Sequence, residues 1–325
     1  MTAPALTVTD LRVGFDVRGG TVSAVDGVSL TVEPGQIVGL VGESGCGKST
    51  LANAVMGLLP AQAHTSGSVR LGDEQVLGAD ADRLRELRGD RIAMIFQDPS
   101  TSLDPTFSIG EQVAETIRAH RKVSRAQARA RAVELLGQVG IPDAAARFSE
   151  PPHRFSGGMR QRVVIAAALA NDPSVLIADE PTTALDVTIQ AQILRLIATL
   201  CREHGTAVLL ITHDLGVVAQ VCDRVGVMYA GQLVEEAPVA ELFAAPQHPY
   251  TRALLAALPS ADAEPGRLAV IPGQVPDLSG ELPGCRFLDR CDRARSECRE
   301  RPQPVTIGAT TVACWDVDAT AEVPR

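Results

Sequence analysis

The stretch Gly42-Glu43-Ser44-Gly45-Cys46-Gly47-Lys48-Ser49-Thr50 constrains this chain more than any other. It fits the phosphate-binding pattern of a glycine, four free positions and then Gly-Lys-Ser/Thr. The apolar run Ile37 to Val41 before it reads as a buried strand, and Leu51 to Met56 after it reads as a helix. Gly42, Gly45 and Gly47 let the backbone turn tightly and aim successive N–H groups at an anion, and the helix N-terminus adds partial positive charge. Lys48 is predicted to reach the outer phosphates of a nucleoside triphosphate, and the Ser49 hydroxyl to hold Mg²⁺. Of the 30 basic residues only Lys48 and Lys122 are lysines. A chain that otherwise uses arginine keeps a compact ammonium where a broad guanidinium fork would suit the loop less well.

The rest of the composition narrows the class. The chain has 325 residues, 45% hydrophobic and 21% charged, which is ordinary for a soluble globular protein of about two domains. Its longest clearly apolar run, Val163 to Ala170, is far short of the ~18 residues a membrane span requires. Met1 to Asp10 lacks the basic and apolar regions of a signal peptide, so a cytosolic protein is expected. A net charge of −9 argues against a large nucleic-acid footprint. Seven cysteines without an export signal point to thiols or metal ligands, not disulfides.

Strand patterns are read over Leu6 to Val13, Ala24 to Val32, Gly67 to Leu71 and Arg91 to Phe96, the last ending in Gln97 before the breaker Asp98-Pro99-Ser100. Val175 to Asp179 and Glu180 form an apolar strand ending in two carboxylates. Downstream of a phosphate loop, Asp179 is expected to hold Mg²⁺ with Ser49, and Glu180 to polarise the attacking water as general base. Ala207 to Ile211 is a further buried strand, which delivers His213 to the edge where ligands bind in such sheets. Val225 to Tyr229 and Gln232 to Glu236 read as a hairpin. From the local sequence alone, Phe15 reads as a core or turn aromatic.

Between about Ile109 and Leu169 the pattern is helical. Ile109, Val113 and Ile117 share a face, Ser124 with Gln127 makes a capping box, and Ser156 is an N-cap opening a Ser-Gly-Gly helix start. That start could bind an anion or serve only as a cap. The expected fold is α/β: a P-loop NTPase (RecA-like) core with an N-terminal antiparallel β subdomain, an inserted α-helical subdomain and a small C-terminal cysteine-bearing extension. The boundaries read as 1–97 and 163–258 for the core, 98–162 for the helical insert, and 259–325 for a proline-rich linker (Pro259, Pro265, Pro272, Pro276, Pro283) and tail. The tail is too poor in apolar runs to bury much core alone, so a staple is expected in it.

These elements, in this order, resemble the ATP-binding subunit of an ABC transporter: the loop Gly42 to Thr50, Gln97, Phe155 to Met159, Val175 to Glu180, Ala184-Leu185-Asp186 and His213. The run His248-Pro249-Tyr250-Thr251-Arg252-Ala253-Leu254-Leu255 and the cysteine-bearing tail are similar to the oligopeptide/dipeptide importer branch, which also includes nickel importers. The signature here reads Gly157-Gly158-Met159 where the general pattern ends Gly-Gly-Gln; this branch tolerates the change.

The resemblance implies direct ATP hydrolysis without a phospho-enzyme. Phe15 would stack on adenine, against its local reading. Gln97 would sense Mg²⁺ and the γ-phosphate, and His213 would hold the γ-phosphate and attacking water. Ser156, Gly157 and Gly158 would bind ATP held by a partner ATPase, and Asp186 would contact that partner. The implied partners are two membrane permeases, a second and different ATPase, and an extracellular or periplasmic substrate-binding protein. The location is the cytoplasmic face of the membrane and the cargo is peptide, with nickel or another small solute as the alternative. A soluble ABC ATPase acting on nucleic acid or ribosomes is the reading from another class.

Cys285, Cys291, Cys298 and Cys314 are separated by five, six and fifteen residues. This matches neither a common zinc site nor a standard ferredoxin run. Free thiols and zinc stay open, while the resemblance suggests a [4Fe–4S] cluster held by all four. Cys46, Cys201 and Cys222 fall in core elements and read as buried thiols.

Overall fold

The computed structural model describes residues 3–18, 20–97, 102–182, 185–258, 270–280 and 282–317. The expected break at Asp98-Pro99-Ser100, Ala184 and the linker residues Pro259 and Pro265 lie outside these.

Two sheets organise the chain. The first is antiparallel, in the order β2-β1-β4-β5, built from β1 (Leu6–Val17), β2 (Gly20–Val32), β4 (Ala63–Leu71) and β5 (Glu74–Gln75). Its strands run longer than the alternation predicts, because β1 and β2 extend into a polar ribbon that pairs Val17 with Gly20. The second sheet has the order β11-β12-β10-β9-β3-β8-β7-β6. Its parallel centre comprises β3 (Ile37–Val41), β6 (Ile92–Ile95), β7 (Val175–Asp179), β8 (Ala207–Ile211) and β9 (Arg224–Tyr229). β10 (Gln232–Pro238) returns antiparallel on β9.

The central strands are apolar throughout because both faces are covered. Period-2 alternation divides them between two cores. Leu176, Ala178, Val208 and Leu210 face the helical side, with Ile109, Val113, Leu136 and Phe148. Val175, Ile177, Leu209 and Ile211 face the N-terminal sheet, with Leu6, Leu11 and Leu51. The insert forms helices Ile109–His120, Arg125–Gln138 and Gly157–Ala168. Ser124 and Gln127 make both halves of the expected capping box. The helix Gly157–Ala168 runs across the expected 162/163 boundary, and its buried face belongs to the same apolar cluster as the sheet.

The tail departs most from expectation. β11 (Val305–Ile307) and β12 (Thr310–Val312) form a hairpin whose β12 pairs with β10 through Glu235↔Val312, so the tail extends the main sheet. Its Phe287 packs on Tyr229 and Tyr250, with ring centroids 5.2 and 5.4 Å away. The tail thus shares the main sheet's core, which is how a segment with few apolar residues of its own is ordered.

Candidate active site

The parallel strands end on one edge of the sheet, and the predicted polar residues cluster there, outside the carboxyl ends as in other open α/β sheets. β3 leads into the loop Gly42–Gly47 and the helix Lys48–Val55. Two of its glycines are obligatory: a Cβ on Gly42 would sit 2.1 Å from the Met228 carbonyl oxygen, and one on Gly47 would sit 2.2 Å from that of Ala24. Both also have positive φ, 152° and 100°, so any other residue would be blocked twice over. Lys48 is buried, and its Nζ donates to the carbonyls of Gly42 at 2.8 Å and Glu43 at 3.0 Å.

A cleft of about 550 Å³ lies over this loop, lined by Ala24, Ser44, Gly45, Gly47, Lys48, Ser49, Thr50, Gln97, Glu180 and His213. The fold therefore brings the loop together with residues contributed by three other strand ends. Ser49 Oγ stands 3.5 Å from Asp179 Oδ1, a hard-oxygen pair that fits Mg²⁺. Burial pushes the Asp179 carboxyl above its usual range; the Ser49 hydrogen bond opposes this and the Glu180 charge adds to it. A cation placed there would relieve that penalty. Gln97 Nε2 donates to Glu180 Oε2 at 2.9 Å, and His213 Nδ1 lies 3.1 Å from Glu180 Oε1. Glu180 adopts φ 46°, in the left-handed region, while its N–H donates to the Ile211 carbonyl at 2.9 Å.

Other predicted residues lie elsewhere. Phe15 sits on β1 against the core of the N-terminal sheet and is not among the cleft's described lining residues. Ser156 caps the helix Gly157–Ala168, its Oγ accepting the Met159 N–H at 3.4 Å, and Ser156 and Gly157 are exposed. Asp186 caps the helix Val187–His204 through the Ile189 N–H, beside Val187 at 82% exposure. Neither capped end lines the cleft. Cys46 and Cys201 are buried and Cys222 is partly buried, and burial pushes the thiols of Cys201 and Cys222 up to about 12.

In the tail, Cys298 is buried and Cys285, Cys291 and Cys314 are partly buried. Cys285 feels the other three thiols electrostatically, and Asp316 donates its N–H to Cys314 Sγ at 3.3 Å. Yet among the described residues no group of three or more His, Cys, Asp or Glu side chains could hold a metal ion. Burial pushes the Cys285 and Cys314 thiols up to about 11, and Cys285 and Cys291 pack against the apolar cluster that holds Tyr229.

Dipeptide transport ATP-binding protein DppD of Bacillus subtilis (strain 168) is 48% identical over 321 residues, covering 98% of this chain and 96% of its own. The chain belongs to the ABC transporter ATP-binding proteins. The ABC transporter family profile matches residues 25–183 of this ABC protein, and that of the oligopeptide/dipeptide transporter C-terminal region matches 234–298. Oligopeptide transport ATP-binding protein OppD of Mycobacterium bovis (strain ATCC BAA-935 / AF2122/97) is 51% identical over 298 residues, 91% of this chain and 49% of its own. Among solved structures, the dimeric post-hydrolysis state of the ATP-binding cassette MJ0796 with ADP and Pi superposes with a TM-score of 0.64 at 29% identity, covering 72% of this chain and 98% of that one.

Sequence reasoning missed what holds this ABC cassette's phosphate loop from behind. Glu43 donates its N–H to the Tyr250 hydroxyl at 3.0 Å, and its carboxylate is paired with Arg290. The run from His248 to Leu255 stood out only as a resemblance; no local pattern tells that Tyr250 reaches a loop 207 residues away.

Proposed function

We propose that this chain is the ATP-hydrolysing subunit of an importer that moves peptides through membrane permeases. The observation that carries the reading is one cleft holding Lys48 and Ser49 on one side and Glu180, braced by Gln97 and His213, on the other. Lys48 and the loop N–H groups of Ser44 to Thr50 bind the phosphates. Asp179 and Ser49 hold Mg²⁺, which supplies charge neutralisation on the phosphate oxygens when bound. Glu180 accepts a proton from the attacking water, and His213 and Gln97 orient its carboxylate. Phe15 serves the adenine.

Ser156, Gly157 and Asp186 are exposed and stand apart from the chain's own cleft, which supports their use across a dimer with a second, different ATPase. Peptide cargo is supported by the names of DppD and OppD and by the matched C-terminal region. No helix of the described residues is long and apolar enough to cross a membrane. By the same reading as the cargo, the subunit docks peripherally on the cytoplasmic side of two permeases fed by a substrate-binding protein. The division into core (1–97, 163–258), helical insert (98–162) and linker-plus-tail (259–325) belongs to the same reading.

The test is the whole complex in proteoliposomes, supplied with ATP on the side of this subunit. Peptide-stimulated ATP hydrolysis with peptide uptake is expected; nickel uptake without peptide uptake would overturn the cargo, and absence of ATP hydrolysis the motor role. A [4Fe–4S] cluster on Cys285, Cys291, Cys298 and Cys314 is the finer part of the proposal, supported by the electrostatic influence of the other three thiols on Cys285 and the N–H donated to Cys314. Iron and sulfide analysis of anaerobically purified protein decides it: about four of each per chain is expected, and iron-free protein with four titratable tail thiols rejects it.

A further inference from the structure

Glu43 is the second residue of the phosphate loop and brings a carboxylate into a site built for a polyanion. Left unpaired beside a triphosphate, that charge would oppose binding. Both of its oxygens are taken: Arg290 Nη1 donates to Oε2 at 2.7 Å and Nη2 to Oε1 at 3.1 Å, a bidentate fork. Although Ser44 lines the cleft, Glu43 does not.

The fork is itself held rigidly. Arg290 Nε donates to the Pro272 carbonyl at 2.9 Å, and Nη1 to the Tyr229 hydroxyl at 3.3 Å. Its side chain is 4% exposed, against 29% for Glu43. The same Glu43 peptide offers its carbonyl to Lys48 Nζ. Glu43 is therefore the point where a tail residue, 247 positions away, meets the residue that carries the loop's ammonium.

We propose that Arg290 is a positioning residue for ATP binding, which acts through Glu43 by turning that carboxylate out of the phosphate cleft and neutralising it. The inference rests on the nucleotide reading of Gly42 to Thr50. The tail thereby supplies a preorganised cation to the outside of the loop.

Equilibrium binding of a fluorescent ATP analogue to the full-length chain tests it, with variants R290A, R290K, E43Q, R290A/E43Q and K48A. R290A is expected to weaken binding roughly five- to tenfold, and R290K, which keeps the charge without the fork, less. The double variant is expected to bind as E43Q does, because without the carboxylate nothing is left to neutralise. Wild-type affinity in R290A, or a double variant that adds the R290A loss to that of E43Q, would overturn the proposal. If R290A does not fold, R290K and R290K/E43Q give the same comparison. Wild-type affinity in K48A would instead overturn the nucleotide reading, so the two failures are distinguishable.

Discussion

Gln97 donates to Glu180 across the gap between two neighbouring strand ends, at 2.9 Å. The register explains the meeting: β6 pairs with β7 through Ile95↔Ala178, and β7 with β8 through Asp179↔Ile211. Residues just past the three ends are thereby brought side by side, and His213 closes on Glu180 from the β8 side. The left-handed φ of Glu180 is an unfavourable conformation, costing roughly 1–3 kcal/mol, and it persists where the surrounding contacts over-determine it.

Glu180→Gln separates charge from shape. Glutamine can keep an oxygen facing Gln97 Nε2, yet it cannot accept the proton of an attacking water. The expected outcome is turnover lower by about 10²- to 10⁴-fold with ATP binding retained, measured as steady-state hydrolysis beside nucleotide binding on the same preparation. Unchanged turnover would remove Glu180 from the base role.

Lys48→Ala removes both the loop's ammonium and its brace on the carbonyls of Gly42 and Glu43. ATP affinity is expected to fall by roughly a hundredfold, as read by calorimetric titration. Full affinity would separate this loop from phosphate binding.

The site was legible in the sequence wherever a short segment carries its own geometry. The loop Gly42 to Thr50, the carboxylates after β7 and His213 after β8 each follow a buried strand, and parallel strands deliver their ends to one edge. The helix caps at Ser124 and Ser156 were equally local. The tail's part was not legible. Arg290 sits among prolines and cysteines with no periodicity, and its meaning depends on pairings such as Glu235↔Val312 and on the Tyr229–Phe287 contact. The hairpin signal was present, as Val-Thr-Ile, Gly308-Ala309 and Thr-Thr-Val, but three-residue strands acquire stability only from the sheet edge they join.

Asp179→Asn should move stability and activity in opposite directions. Burial raises the Asp179 pKa above its ordinary value of 3.8. The folded state therefore holds this proton more tightly than the unfolded state, and the associated stability, full below 3.8, is lost as pH rises through the folded value. At neutral pH the ionised group costs the nucleotide-free protein stability. Asparagine is then expected to raise the melting temperature at pH 7, with the gain shrinking toward pH 4, while ATP hydrolysis with Mg²⁺ falls by about 10²-fold or more. A lower melting temperature at pH 7 would show that the carboxylate is already compensated without a cation.

His248 sets a pH dependence of the opposite sign. It is buried at 1% exposure and its Nδ1 accepts the Tyr250 N–H at 3.0 Å, capping the helix Pro249–Ala256 whose Tyr250 hydroxyl receives the Glu43 N–H. Burial first, and the Arg252 charge second, push its pKa down from 6.5 to about 3. Below pH 6.5 the unfolded chain takes up a proton that the folded chain refuses, so stability present above 6.5 is lost as pH falls toward about 3, at up to about 1.4 kcal/mol per pH unit. The neighbouring Glu235, which accepts the N–H groups of Gln247 and His248, has its pKa raised by burial and works partly against this loss. His248→Asn keeps a side chain suited to the N-cap but does not titrate. Denaturant unfolding between pH 6 and pH 4 is expected to show a shallower pH slope in H248N than in the wild type, by up to one proton. Identical slopes would mean that His248 takes up its proton in the folded state, and that the strut from Tyr250 to the phosphate loop tolerates a charge at its base.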